Sequence, residues 1–171
     1  MSQLALDKIT YGLYVAGVQD TNWYGGCIID AFMQTTLVPP TIVYSAMNKN
    51  RTTEIILEKG EFTVSALPAD VHPFYIANFG FQSSRKVDKW ANVPFDVVDG
   101  LPVLKDAAAY FRLKTIDARD LQTHTLFYCE VVDAWVGDKE SLVYADYRKS
   151  MKPLAMSSFL AYQKTHKSPV L

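Results

Sequence analysis

Short segments in which β-branched and aromatic residues alternate with polar ones recur along most of the chain. Residues 9–18 form the first such segment, the turn formers at residues 19–22 interrupt it, and residues 23–30 form the second. This order predicts an antiparallel hairpin. The same pattern predicts further strands at residues 41–47, 61–67, 95–98, 101–104, 107–116 and 124–136. Residues 141–147 form one more strand or end the barrel.

Two short helices are predicted between these strands. Residues 51–59 space Ile55 and Ile56 as an amphipathic helix would, and Gly60 stands where a C-terminal capping glycine belongs. Asp70 is the predicted N-cap of a second helix, which has Pro73 near its first turn and ends before Gly80. Many strands with few helices predict a mainly β protein, an antiparallel barrel with short helices, and not a parallel sheet.

The length and charge of the chain narrow the possible functions. Its 171 residues fit a single domain, 1–171, in which residues 151–171 form a tail whose aromatic residues dock on a partner or on their own barrel. Seventeen basic and eighteen acidic residues nearly cancel, which argues against a nucleic-acid partner. The first residues contain no apolar run typical of a signal peptide or membrane span, so we expect a cytoplasmic protein without a membrane partner.

Two polar clusters carry the candidate chemistry. Asn48, Lys49 and Asn50, with Thr53 shortly after, lie where a strand stops and a helix starts, a favourable place for an anion. Taken alone, this cluster is equally well explained as a helix cap. Residues 83–89 hold two serines, Arg85 and Lys89, and taken alone they are typical of a solvated basic loop.

These clusters fall in an order that resembles a known family. The segments GCIIDAFMQTTLVPP (residues 26–40), NKN (48–50) and FGFQSSRKVDKW (79–90) are similar to those of the flavin reductase-like FMN-binding split-barrel proteins, of the flavoredoxin and rubredoxin-associated type, over residues 8–147 or so. The resemblance implies an antiparallel split β-barrel that forms a homodimer and binds FMN. The implied cofactor-binding residues are Cys27, Ile28, Asp30, Ala31, Gln34, Thr35, Thr36, Asn48, Lys49, Asn50, Thr53, Phe81, Ser83, Ser84, Arg85 and Lys89.

The chain departs from the family pattern at two places. Asp30 and Ala31 stand where members commonly carry Asn and Thr, and Gln122 replaces a family glycine. If Asp30 faces the flavin, its charge disfavours the anionic reduced ring and lowers the reduction potential. His124, in the THTLF run of residues 123–127, is the one candidate catalytic residue by resemblance, although a half-buried strand histidine bonded to backbone explains it as well.

The sequence offers no other catalytic constellation. The two cysteines, Cys27 and Cys129, lie in apolar strand-like runs, and the histidines lack metal-ligand spacing, so we expect neither thiol chemistry nor a metal site. The resemblance therefore implies an oxidoreductase (EC 1.5.1 type) that passes reducing equivalents from NAD(P)H through FMN to free flavin, ferric iron or a small redox protein such as rubredoxin. Two alternatives stay open: an FMN electron carrier without NAD(P)H activity, and a barrel that has lost the cofactor.

Overall fold

Antiparallel strand pairing organises the protein. The computed structural model describes residues 3–165. Its strands are β1 (Tyr14–Gln19), β2 (Tyr24–Ile29), β3 (Phe32–Thr36), β4 (Thr41–Met47), β5 (Glu61–Ala66), β6 (Phe95–Val98), β7 (Leu101–Leu104), β8 (Ala109–Asp120) and β9 (His124–Val136). Its helices are α1 (Gln3–Leu6), α2 (Arg51–Lys59), α3 (Pro73–Gly80), a 3₁₀ turn (Trp90–Asn92), α4 (Tyr144–Asp146), a π-helical turn (Tyr147–Met151) and α5 (Lys152–Thr165).

Seven strands form one sheet in the order β2-β1-β5-β8-β9-β4-β3, and β6 pairs with β7 apart from it. The two edge strands, β2 and β3, are joined along the chain by only Asp30 and Ala31, so the sheet has to curl until its edges meet there. Aromatic side chains close this end: the Phe32 ring lies 4.9 Å from Tyr14 and 5.5 Å from Phe111. These contacts join β3 to β1 and β8 across the inside of the curled sheet. The antiparallel sheet with its few short helices confirms the predicted mainly β fold class.

Two hydrophobic clusters fill the structure. One lies inside the curled sheet, where Tyr44 stacks on Phe127 at 5.7 Å. The other lies between β1, α3 and the last helices, and it includes Trp90 and Phe79. Gly26 allows these two rings to approach β2, since a Cβ there would come within 3.0 Å of both.

Most of the predicted elements are confirmed. β9 has the predicted bounds, and α2 ends at Gly60, which adopts a left-handed φ of 73° and donates its N–H to Ile56 O. Asp99 and Gly100 both have positive φ, the geometry of a two-residue hairpin turn between β6 and β7.

Three predictions on local structure are wrong. The N-cap of α3 is His72 and not Asp70, because Pro73 occupies the first turn and the His72 Nδ1 accepts the Phe74 N–H at 3.2 Å. That helix also runs through Gly80 instead of ending before it. Of the two alternatives for residues 141–147, the strand is wrong: Ser141 and Val143 make single bridges, and α4 then begins at Tyr144.

The described part of the predicted tail is mainly a helix, α5, packed on its own chain, and residues 166–171 of that tail lie outside the described residues. α5 places Phe159 against Phe81 and Tyr162 against Phe74, so the second of the two docking alternatives holds for the described residues. Within residues 3–165, none of the helices has the length and apolar character needed to cross a membrane.

Candidate functional site

A polar cavity of about 280 Å³ lies between the start of α2 and the loop that follows α3. Both predicted polar clusters contribute to it, although they are more than thirty residues apart in sequence. The polar cavity is lined by Gly26, Cys27, Lys49, Asn50, Arg51, Thr52, Gly80, Phe81, Gln82, Ser83, Ser84 and Lys89. The structure therefore brings seven predicted binding residues together: Cys27, Lys49, Asn50, Phe81, Ser83, Ser84 and Lys89.

The N-terminus of α2 gives this cavity its anion-binding character. Asn50 is the N-cap, with an extended backbone (φ −77°, ψ 132°), and its side chain makes no capping hydrogen bond to the described residues. The first N–H groups of a helix have no acceptor within the helix. Arg51 and Thr52, the first two residues of the helix, line the same cavity as Lys49, so the positive end of the helix dipole lies there, an arrangement that favours a negative ligand.

β2 holds the loop after α3 in place. The Ser84 hydroxyl accepts the Gly26 N–H at 3.1 Å and donates to Gly26 O at 3.0 Å, and the Trp90 indole donates to Gly25 O at 2.9 Å. Ser84 is thus fixed to the barrel, so Ser83 is the loop serine better placed to meet a ligand.

Lys89 is a buried cation on the wall of the cavity. Only 2% of its surface is exposed, and its ammonium donates to Gly26 O and Phe79 O, both at 2.9 Å. Burial lowers the pKa of Lys89 to about 8. An ammonium has three donors, and two of those of Lys89 anchor the loop to the backbone.

Paired charges surround the mouth of the cavity. Arg51 forms a two-point ion pair with Asp20 (2.7 and 2.9 Å) and also reaches Glu54 at 3.2 Å. Arg85 pairs with Glu54 as well. Hydrogen bonds from these arginines lower the pKa values of Asp20 and Glu54. Arg85, an implied cofactor-binding residue, lies in a neighbouring cavity with Asp20 and Trp23 rather than in the polar cavity itself.

A second cavity, of about 290 Å³, continues from the first and is named here the adjoining cavity. It shares Asn50, Gly80 and Phe81 with the polar cavity. Its remaining walls are mostly apolar or aromatic: Leu13, Ile28, Ile29, Asp30, Met47, Ile76, Tyr144 and Tyr147. Together the two cavities are large enough for a cofactor-sized ligand with one charged end and one flat apolar end.

Asp30 is the one acidic side chain on the wall of the adjoining cavity. It is half-buried at the two-residue link between β2 and β3. The pKa of Tyr144, across this cavity, is raised by burial first and by the charge of Asp30 second. A carboxylate thus stands where the family commonly carries an amide.

The remaining predicted residues lie outside both cavities. Ala31 lines a separate apolar groove of about 530 Å³, and the Gln34 side chain turns back to Thr36 O on exposed β3. Thr35 and Thr36 bond to Thr41.

Asn48 and Thr53 have roles within the fold. Asn48 donates to Asp120 and to Gln122 O and accepts from Thr125, so it joins β4 to the turn between β8 and β9. Thr53 donates to Met47 O.

His124 begins β9 opposite Met47, which lines the adjoining cavity, and its Nδ1 lies 2.9 Å from the Thr123 hydroxyl. The turn before it keeps the geometry that a glycine would give, because Gln122 adopts a left-handed φ of 71°. The Asp120 carboxylate accepts the Gln122 N–H at 2.8 Å and supports this turn.

Sequence reasoning missed several residues of the two cavities. Thr52 and Arg51 line the polar cavity and directly follow the NKN cluster, so the predicted helix start was a signal for them. Tyr144 and Tyr147 line the adjoining cavity from a segment that alternates as a strand does, and no local pattern around them indicates that position.

The split barrel and its paired cavities are the features expected of a flavin-binding barrel. The family described as "Flavin reductase like domain" matches residues 6–154. The chain therefore belongs to the flavin reductase-like family of flavin-dependent oxidoreductases, which confirms the resemblance drawn from its sequence.

Particular relatives sharpen this assignment. The ferric-chelate reductase (NAD(P)H) of Archaeoglobus fulgidus is 35% identical over 151 residues, 86% of this chain and 89% of that protein. The high molecular weight rubredoxin of Moorella thermoacetica is 34% identical over 152 residues, 87% of this chain but only 66% of that longer protein. The solved structure of the flavin reductase PheA2 in its native state superimposes with a TM-score of 0.71 at 28% identity, covering 84% of this chain and 93% of that one.

Proposed function

We propose that this protein is an FMN-dependent oxidoreductase that takes reducing equivalents from NAD(P)H and passes them to free flavin, ferric iron or a small redox protein, a reaction of the EC 1.5.1 type. The observation that carries the proposal is the convergence of the α2 N-terminus and the loop after α3 on one polar cavity, which opens into an aromatic one at Phe81. The names of the relatives, an NAD(P)H ferric-chelate reductase among them, support the same reaction class.

The phosphate of FMN fits the polar cavity. The uncapped N–H groups at the start of α2, the ammonium of Lys49 and the hydroxyl of Ser83 are donors that match a nearly doubly charged acceptor. Lys89 adds a buried cation on the same wall. Arg85 stands at the rim, where Glu54 holds it.

The flat ring of FMN fits the adjoining cavity. Ile28 and Ile76 offer apolar surface, and Phe81 and Tyr144 offer aromatic surface. Bound flavin would supply the redox chemistry, and the residues of the chain would position it and exclude water. No acid or base on the protein is required for this, which is consistent with a histidine, His124, that lies outside both cavities.

Several further features belong to the same proposal. We propose that the chain is one flavin-binding domain, located in the cytoplasm, that works as a homodimer. The exposed apolar turn between β3 and β4 supports self-association, since Leu37 and Val38 are 77% and 89% exposed in the single chain. The relative that is a high molecular weight rubredoxin supports a rubredoxin-like partner, and it favours an electron carrier as the second candidate function.

A visible absorption spectrum and an anaerobic nicotinamide titration test the proposal. The purified protein, supplied with FMN and passed through a desalting column, should keep a yellow flavin band. NADH or NADPH should then bleach that band rapidly. Bleaching only by a reduced small redox protein would support the carrier instead, and failure to retain FMN would refute both.

A further inference from the structure

The last helix of the chain extends beyond the part that matches the family. The match ends at residue 154, whereas α5 continues to Thr165. Ala155, Phe159 and Tyr162 lie three and four positions apart, so they share one face of the helix. This face packs on α3: Ala155 is fully buried, and Phe159 and Tyr162 are half-buried.

Phe81 is the point at which α5 reaches the cofactor cleft. It follows α3 directly and lines both the polar and the adjoining cavity, yet the residue is 39% exposed. The ring of Phe159 meets it edge to face, with the centroids 5.7 Å apart and the planes at 74°. Phe81 is thus in contact with the cleft and with Phe159 of α5.

We propose that Phe159 is a positioning residue that fixes the ring of Phe81 at the junction of the two cavities and thereby sets the affinity for flavin. This inference rests on the proposed function. An exposed aromatic side chain has several rotamers available, and a ligand that packs against it has to order it first. The edge-to-face contact orders Phe81 in advance, so α5 acts on the cleft from outside it.

The expected change in FMN affinity follows from the contact between Phe81 and Phe159. An aromatic pair in this geometry has a coupling that corresponds to a change of about three- to tenfold in a binding constant. We therefore expect Phe159→Leu to weaken FMN binding by about three- to tenfold. Phe159→Tyr keeps the ring and should bind FMN as the unaltered protein does.

A double-mutant cycle distinguishes positioning from general loosening of the helix. If Phe159 acts through Phe81, then Phe159→Leu should have no further effect on the Kd for FMN once Phe81→Leu is present. The assay is a titration of the apoprotein with FMN followed by flavin fluorescence, with the Tm of each variant measured alongside.

Tyr162→Leu is the matched control. Tyr162 is on the same helix but contacts other residues: its ring lies 4.9 Å from that of Phe74, and its hydroxyl donates to Asn92 at 3.3 Å. This variant should lower the Tm while leaving the Kd for FMN unchanged.

Three results would overturn the inference while the proposed function stands: an unchanged Kd in Phe159→Leu, additive effects in the cycle, or equal weakening by Tyr162→Leu. If the unaltered protein does not bind FMN, the proposed function and this inference both fail.

Discussion

Lys89 gives the sharpest test of the electrostatics of the cavity. Its ammonium is buried and held by two backbone carbonyls, Gly26 O and Phe79 O. Burial lowers its pKa from 10.5 to about 8, so the folded apoprotein loses this proton more easily than the unfolded chain does. Between these two pH values the unfolded state binds more protons at Lys89 than the folded state does. The contribution of Lys89 to the free energy of unfolding therefore rises with pH.

The expected size of this effect follows from the two pKa values. Lys89 should raise the free energy of unfolding by about 1 kcal/mol between roughly pH 7 and roughly pH 9. Cysteines and tyrosines whose pKa values are raised by burial act in the opposite direction at higher pH. The test is therefore the difference between the wild type and Lys89→Met, in which the contributions of groups that do not interact with Lys89 cancel. Cys27 interacts with Lys89, but burial raises the pKa of its thiol, so the comparison is made below about pH 9.

Urea unfolding of the apoprotein at several pH values measures this difference. At neutral pH, Lys89→Met should be less stable than the wild type by about 1–3 kcal/mol. The loss of a charged donor to two buried carbonyls outweighs the gain from no longer burying an ammonium. That gap should widen in favour of the wild type as the pH rises. Parallel pH dependence in the two proteins would refute the argument, as it would show that Lys89 titrates normally in the folded state.

Three further substitutions test other parts of the account. Asp30→Asn should raise the flavin midpoint potential by tens of millivolts, equivalent to about 1–3 kcal/mol, and an unchanged potential in spectroelectrochemistry would show that the carboxylate does not act on the ring. Glu54→Gln should release Arg85 and tighten FMN binding about two- to fivefold at low salt, with a smaller gain at high salt. Weaker binding would contradict the idea that Glu54 and the FMN phosphate compete for Arg85. Gln122→Gly should raise the free energy of unfolding by about 0.5–1 kcal/mol in urea, because it removes the cost of a left-handed side-chain residue, and a destabilised variant would mean that the turn depends on the Gln side chain.

Local sequence signals predicted much of the fold. β9 alternates in the manner of a long strand, and α2 combines an amphipathic pattern with a glycine at its end. Where the predictions failed, contacts distant in sequence decided the outcome. Residues 141–147 alternate as a strand does, but the Tyr144 N–H bonds to Tyr11 O and the chain then turns into a helix.

The sequence indicated the two polar clusters of the candidate site but not which of their side chains line the cavity. Both clusters reach the polar cavity through Asn50 and Ser83, as their order in the family implied. However, the Ser84 hydroxyl is hydrogen-bonded to Gly26 of β2, and Arg85 is paired with Glu54. Both contacts are made with residues that are distant in sequence, so local patterns do not predict them. The resemblance to the family names the candidate ligands, whereas packing decides which of them line the cavity.

The most direct measurement compares the dissociation constants of FMN and riboflavin, which differ only by the phosphate. Because several charged and backbone donors meet in the polar cavity, FMN should bind at least about 100-fold more tightly than riboflavin. Lys49→Ala and Ser83→Ala should each reduce that ratio while leaving the riboflavin constant unchanged. Equal affinity for the two flavins would contradict the account, because it would mean that the helix terminus and the loop after α3 do not bind the phosphate.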